Sequence, residues 1–361
     1  MNGLSREMII HPGETLKEVL EDRGMTQLEL SIRTGVTPKH ISTIVSGEKN
    51  ISASFAKKLE YALNIDAEFW MNLQTAYDKE LIVFDEINSI TEKELSVAKQ
   101  LKSVFDFLIN KTLVPACSLA EQKVLELRKF LNVSNLTSIP SLVSSGAFRV
   151  QTKVTVDEYT LYAWQRICEV ITDDIQVERF DLSEQKERII DVIPELKQLM
   201  FKNQEEFVPE LKKILAEIGI AFSIAPCFKG APVQGFIKHT NDEKTILCMT
   251  FRQKKADIFW FSLFHELGHL VNGDSKQKFI DFESVESEQE RKADIFAQNK
   301  LLNRKEYGRF IKEGDFSLNR IKLFAKNQNV LPCIVIGRLQ SEAYLKWSDF
   351  REETVMYSYE Y

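Results

Sequence analysis

The pentapeptide HELGH at residues 265–269 restricts the fold more than any other feature of the sequence, because it places two histidines four positions apart in an apolar segment. Four residues are about one helical turn, so His265 and His269 lie one above the other on the same helix face. Both imidazoles can then reach one metal ion while Glu266 stands beside them. The pattern predicts a helix over residues 257–272 that carries a zinc site.

A surface helix with two solvated histidines is the alternative to this interpretation. The chain has only five histidines, and two of them fall in this pentapeptide. The residues around them are strongly apolar: Phe261, Leu263, Phe264, Leu267 and Leu270. An apolar shell around a polar cluster fits a metal site better than a hydrated helix face.

A catalytic zinc site also needs a third protein ligand and an open position for water. Glu290 is the candidate, because it follows His269 after twenty intervening residues and begins the sequence ERKAD. Asp294 lies four residues later on the same helix face. We expect Asp294 to bind the free ring nitrogen of a zinc histidine and to fix its tautomer.

The periodicity around this motif predicts a small α+β domain at residues 206–361. A helix over 208–218 precedes three strands at 220–225, 233–239 and 245–251, and helices follow to about residue 344. The last strand comes immediately before the motif helix. We expect it to be a sheet edge, which either receives an extended peptide by strand addition or faces solvent.

Residues 1–78 predict five short helices with clear start and stop signals. Thr26 and Glu29 form a capping box at the start of the second helix, and Thr37 with Pro38 begins the third. The tight turn at Gly35 joins these two helices with the length and turn chemistry of a helix-turn-helix. A helical scaffold with incidental polar residues is the alternative.

The third helix would contact bases in a DNA complex, and its exposed side offers Lys39, His40 and Thr43. Phosphate contacts would come from Gln27, Ser46, Lys49 and Asn50. Residues 1–75 contain eight Lys and Arg against ten Asp and Glu, and the whole chain has a net charge of −6. This balance excludes general coating of polyanions and confines any DNA contact to one face.

Residues 79–205 are predicted to be mostly helical and contain no motif with an evident chemistry, so we interpret them as a packing module. No apolar run approaches 18 residues, and the first residues lack the features of a signal peptide. The sequence therefore predicts a cytoplasmic protein without a membrane partner. The five cysteines are scattered, which favours buried thiols over disulfides, and no nucleotide-binding loop is present.

The segment FWFSLFHELGH at 259–269, together with ERKADIFA at 290–297, resembles the ImmA/IrrE family of zinc metallopeptidases. The resemblance implies a compact gluzincin-like fold in which His265, His269 and Glu290 bind Zn²⁺ and Glu266 is the general base. The sequence IVIGRLQ at 334–340 is similar to a C-terminal signature of members fused to a DNA-binding domain.

Two features depart from this family or have no match in it. Lys292 stands where many relatives carry a second acidic residue. No oxyanion-stabilising residue can be matched, and Tyr307 and Arg252 are the side chains considered for that role.

The N-terminal sequences IIHPGE at 9–14 and GMTQ at 24–27 resemble the XRE-type, HigA-like antitoxin repressors. The resemblance implies that Gln27, Thr37, Lys39 and Thr43 touch DNA. Pro38 occupies a position whose side chain often contacts bases in such domains.

The sequence as a whole predicts a mostly helical protein with three parts: a helix-turn-helix domain at 1–78, a helical module at 79–205 and a zinc peptidase domain at 206–361. We expect a homodimeric regulator that binds operator DNA and hydrolyses a protein partner, which would be a repressor, a toxin or the chain's own linker. Two alternatives remain: a non-proteolytic HigA-like antitoxin or sensor that uses the zinc fold as a binding surface, and a plain transcription factor whose C-terminal region only dimerises.

Overall fold

The structure is a computed structural model that describes residues 6–145, 156–179, 182–240, 244–273, 279–281 and 288–359. The chain divides into two compact units, Met1–Glu92 and Lys93–Tyr361. The predicted fold class is confirmed, since the described part is mostly helical with one small sheet.

The N-terminal unit contains five helices that begin close to the predicted start signals. They are α1 Pro12–Asp22, α2 Gln27–Thr34, α3 Pro38–Val45, α4 Ala53–Leu63 and α5 Ala67–Asn88. Their core is apolar and fully buried at Leu16, Leu30, Ile41 and Trp70. Helix α5 extends beyond residue 78, where the sequence placed the end of the domain.

The first part of the second unit is helical. It contains α6 Glu92–Gln100, α7 Lys102–Asn110, α8 Ala120–Leu131, α9 Ile139–Ser145, α10 Glu158–Asp173 and α11 Leu182–Leu199. The Ser, Thr and Pro residues near 134–145 favour a loop by their type, but Ile139–Ser145 forms helix α9, because a proline is tolerated in the first turn of a helix. Glu94 and Arg128 form a buried ion pair at 2.7 Å, and the backbone N–H of Leu136 donates to the same carboxylate at 3.0 Å.

The sheet follows α12, Gln204–Glu217. Its strands are β1 Ile220–Ala225, β2 Gly235–His239, β3 Thr245–Thr250 and β4 Phe279–Asp281, in the order β1-β3-β2-β4. The three predicted strands are present, and the short β4 adds a fourth that lies within no predicted element. The residue types of Thr240, Asn241 and Asp242 predict a turn between the second and third strands, and the last two of these residues lie outside the described part of the chain.

The expectation that strand 245–251 is a sheet edge is wrong. Strand β3 pairs in parallel with β1 on one side and antiparallel with β2 on the other. All six of its residues are buried, as is usual for a central strand covered on both faces. Within the described residues, the edges of the sheet are β1 and β4.

The remaining helices complete the second unit. They are α13 Ala256–Asn272, α14 Glu288–Leu301, α15 Arg304–Glu313, α16 Leu318–Asn327 and α17 Pro332–Ser341. A large apolar core connects the sheet with these helices, and Trp260, Phe264 and Leu267 of α13 are buried in it. In the described part of the chain, none of the helices combines the length and apolarity that a membrane span requires.

Candidate functional site

Helix α13 places the two histidines as the sequence predicts. Their ring nitrogens Nε2 lie 3.0 Å apart, and both side chains are buried. Phe264 and Leu267 on the same helix anchor it in the core, so the polar face is turned away from that core. The rings therefore converge on a common point beside the helix.

Glu290 reaches this point from α14. Its Oε2 lies 3.0 Å from Nε2 of His265 and 3.5 Å from Nε2 of His269. The two helices can approach this closely because Gly268 lacks a side chain: a Cβ atom there would lie 3.1 Å from Cα of Ala293. The small residues of HELGH and ERKAD thus bring the third candidate ligand to the histidines.

The geometry and chemistry of these three donors fit zinc. Tetrahedral zinc, bound at about 2.0–2.2 Å, holds nitrogen and oxygen ligands about 3.3–3.5 Å apart. The three observed separations are 3.0, 3.0 and 3.5 Å, and the ligand atoms all lie within 4.8 Å of one another. Two imidazoles and one carboxylate also form one of the ligand sets of catalytic zinc sites.

Asp294 supports this arrangement from behind. Its Oδ1 lies 2.8 Å from Nδ1 of His265, on the opposite side of the ring from Glu290. A carboxylate at this position accepts the N–H of Nδ1, which leaves the lone pair of Nε2 available for a metal. The structure therefore places Asp294 where the sequence expects it.

Glu266 is fully buried beside the two histidines. Gly235 of β2 lies against its side chain: a Cβ atom on Gly235 would be 2.1 Å from Oε1 and 2.6 Å from Cδ of Glu266. Only glycine leaves enough room for the carboxylate at this place. Gly235 was not among the predicted site residues, and a glycine inside the predicted strand 233–239 was the available signal.

The charges of the cluster influence one another. Burial raises the pKa of Glu290, but the hydrogen bonds and positive charge of His265 and His269 outweigh burial and lower the pKa to about 2. Burial lowers the pKa of His269, but the hydrogen bond to Glu290 and the negative charge of Glu266 outweigh burial, so the pKa of His269 is raised. The cluster therefore favours an ionised carboxylate beside the imidazoles.

The two side chains considered for oxyanion stabilisation have other contacts. Tyr307 is buried, and its hydroxyl donates to Oε2 of Glu342 at 2.8 Å. Arg252 extends toward the carbonyl of Pro232, with its Nη1 at 3.4 Å.

In the N-terminal unit, α2 and α3 begin and end as the sequence predicts. The hydroxyl of Thr26 accepts from the N–H of Glu29 at 3.1 Å, and the hydroxyl of Thr37 accepts from the N–H of His40 at 3.2 Å. Gly35 ends α2 in the left-handed conformation, with a φ of 64°. Two capped helices joined by a three-residue turn are the arrangement of a helix-turn-helix.

The candidate DNA contacts differ in exposure. Gln27, Thr37, Lys39 and Lys49 are exposed. His40 is half-buried and packs edge-on against the ring of Phe55 at 5.4 Å between centroids, while the half-buried Thr43 donates its hydroxyl to the carbonyl of His40 at 3.0 Å. All six remain predictions.

Ser42 is a further exposed residue of α3 that was not among the predicted DNA contacts. It lies three residues after Lys39, opposite the buried Ile41 and Ile44. The helical period of those two isoleucines was sufficient to find it.

Comparison with known proteins agrees with this geometry. Residues 16–70 match the helix-turn-helix family HTH_3. The N-terminal unit therefore contains a helix-turn-helix domain. This finding confirms the predicted motif.

Two curated relatives come from Dichelobacter nodosus. The chain is 40% identical over 70 residues to virulence-associated protein I and 41% identical over 69 residues to virulence-associated protein A′. Each alignment covers 19% of this chain and 65% or 60% of the relative. The chain thus spans slightly less than two thirds of the length of the curated relatives it matches.

Two solved structures are similar to part of the chain. One, from Nostoc punctiforme PCC 73102, is described as an antidote protein of a plasmid maintenance system. It is 24% identical, with a TM-score of 0.21, and the match covers 23% of this chain and 97% of that one. The other is an addiction module antidote protein of the HigA family from Coxiella burnetii, 29% identical with a TM-score of 0.21, covering 23% and 95%.

Proposed function

We propose that this chain is a DNA-binding regulator that carries a zinc-dependent endopeptidase. The observation that supports the peptidase most directly is the convergence of His265, His269 and Glu290 from two helices, with Asp294 behind His265. The fully buried Glu266 beside this cluster adds a candidate general base for hydrolysis.

His265, His269 and Glu290 would hold the zinc ion. When bound, zinc would lower the pKa of a coordinated water to near 7 and polarise the peptide carbonyl. Glu266 accepts a proton from the attacking water and returns it to the leaving amine. Its burial keeps bulk water away from the carboxylate. Gly235 leaves the space in which this carboxylate stays.

Strand β4 offers a place for an extended substrate segment. It pairs with β2 alone among the described residues, and Asp281 of β4 is the partner of Gly235. Because neighbouring strands lie about 4.8 Å apart, a peptide added along the outer edge of β4 would run about 9.6 Å from Gly235, which contacts Glu266. This edge replaces strand 245–251, for which peptide addition and a solvent-facing edge were equal alternatives.

The helix-turn-helix domain supports operator binding by the N-terminal unit, with the exposed Lys39 and Lys49 on the DNA side. A homodimer would match a two-fold symmetric operator. The protein substrate would be a repressor or a toxin. Zinc binding without hydrolysis would instead favour an antitoxin or sensor that uses the zinc fold as a binding surface.

The test of the ligand set is metal analysis of the purified full chain. We expect about one zinc per chain, and Glu290→Gln should bind zinc much more weakly because a neutral amide replaces a charged ligand. Glu288→Gln is the matched control, since Glu288 lies on the same helix, is highly exposed and pairs with Lys292. Equal zinc content in both variants would show that Glu290 is not a ligand.

The test of the reaction is cleavage of the proteins encoded beside its gene. Glu266→Gln preserves the volume of the side chain but removes the base, so zinc content and DNA binding should persist while cleavage falls by roughly 10²–10⁴-fold. An undiminished rate in the zinc-loaded variant would refute this mechanism. Stoichiometric zinc with no cleavage in the unmodified chain would favour the sensor function.

A further inference from the structure

In the second unit, a cavity apart from the histidine cluster lies between α13, α14 and α17. Its volume is about 240 Å³, and its walls are mainly apolar, formed by Ile258, Phe261, Leu301, Leu302 and Ile334. Sites for drug-sized ligands usually measure about 300–1,000 Å³. This cavity is therefore suited to one side chain rather than to a nucleotide or a large cofactor.

The cavity continues the helix faces that carry the metal candidates. Phe261 lies one turn before His265 on α13, with 6.3 Å between the ring centroids. Gln298 lines the cavity one turn after Asp294 on α14. The groove between these two helices thus has the histidine cluster at one end and the apolar cavity at the other.

The carboxylate of Asp257 beside the cavity is stabilised in part by the charge of Lys255 and by backbone hydrogen bonds, which burial outweighs. Arg338 is neutralised by Glu342, with 2.9 Å between Nε and Oε1, and its guanidinium lies 3.9 Å from the centroid of the Tyr307 ring. Asp257, in the first turn of α13, has no ion pair within the described residues. Burial raises the pKa of Asp257, so a cation in the cavity would offset the cost of keeping this carboxylate ionised.

Gly337 keeps the carboxylate accessible. It lies inside α17, where glycine is a poor helix former, and a Cβ atom at this position would be 2.6 Å from Oδ2 of Asp257. Trp347, with 64% of its surface exposed, lines the same cavity and an adjoining one of about 310 Å³. An exposed indole beside a half-buried carboxylate provides a flat surface on which a planar cation can stack.

We propose that this cavity binds an arginine side chain of a protein partner. The aliphatic stem lies against Ile258 and Phe261, as long cationic side chains do on apolar surfaces. The guanidinium pairs with Asp257 and stacks on Trp347, and its planar fork suits both contacts better than the point charge of lysine. The site does not depend on the peptidase reaction, so the chelator-treated chain binds the same group.

Trp347 provides a selective reporter of this binding. The chain has four tryptophans, and the other three, Trp70, Trp164 and Trp260, are fully buried. In full-length protein labelled with 5-fluorotryptophan, the ¹⁹F resonance of Trp347 can be assigned with Trp347→Phe. The probe is N-acetyl-arginine amide, and N-acetyl-citrulline amide is the uncharged control of nearly the same shape.

We expect a saturable shift of the Trp347 resonance with the arginine probe and affinity at least about tenfold weaker for the citrulline probe, because the charged hydrogen bond to the carboxylate is lost. Asp257→Asn should remove this difference, whereas Asp106→Asn, at an exposed position of α7, should preserve it.

Equal binding of the two probes, or no saturable shift with either, would overturn the proposal. Tighter binding of spermidine than of the arginine probe would also overturn it and assign the cavity to a free polyamine. If Asp257→Asn does not fold, the comparison of the two probes on the unmodified chain decides the question by itself.

Discussion

Adding a single methyl group at Gly235 tests whether β2 holds Glu266 in place. In Gly235→Ala, the new Cβ would lie 2.1 Å from Oε1 and 2.6 Å from Cδ of Glu266, far inside van der Waals contact. Strand β2 is hydrogen-bonded to β3 on one side and to β4 on the other, so the backbone has little freedom to retreat. The Glu266 side chain must therefore move.

The expected cost follows from this contact. Overpacking of a filled interior costs about 1–3 kcal/mol, which we expect as the loss in free energy of unfolding. In a Glu266→Ala background the clash disappears, and the same substitution should be neutral or stabilising by about 0.5 kcal/mol, because alanine loses less backbone entropy than glycine. The double-mutant cycle should thus show a coupling of about 1–3 kcal/mol.

Chemical denaturation of the four proteins of this cycle measures the coupling without any assumption about activity. Zinc content should stay near that of the unmodified chain, since the three atoms nearest to a Cβ at Gly235 all belong to Glu266 and not to a candidate ligand. Equal destabilisation by Gly235→Ala in both backgrounds would refute the contact between Gly235 and Glu266.

Further predictions concern the DNA interface and the buried ion pair. Lys39→Ala should weaken specific operator binding by about 1–3 kcal/mol, whereas Lys49→Ala should weaken binding to all sequences and reduce the salt dependence. Titrations at several salt concentrations separate the two effects. Equal losses on specific and random DNA for both variants would contradict the assignment. Arg128→Met should destabilise the chain by about 3–5 kcal/mol because it leaves the Glu94 carboxylate buried without its partner, while the exposed control Lys102→Met should change stability by at most about 0.5 kcal/mol in the same denaturation experiment.

The local patterns of the sequence were sufficient for most of the elements. Capping residues such as Thr26 and Thr37 define helix starts through contacts within one turn, so α2 and α3 lie where they were predicted. The spacing of His265 and His269 fixes their common face for the same reason, because neighbouring turns of one helix determine it. These features need no information about the rest of the chain.

The tertiary structure decided what depends on contacts between distant segments. The period of residues 245–251 shows a strand but not its neighbours, and only the parallel pairing with β1 makes β3 central. The approach of Glu290 to the histidines depends on the packing of Gly268 against Ala293, which no single helix specifies. Gly235 leaves space for Glu266, and Gly337 leaves space beside Asp257. In both places the lack of a side chain matters only because another element packs closely against the glycine.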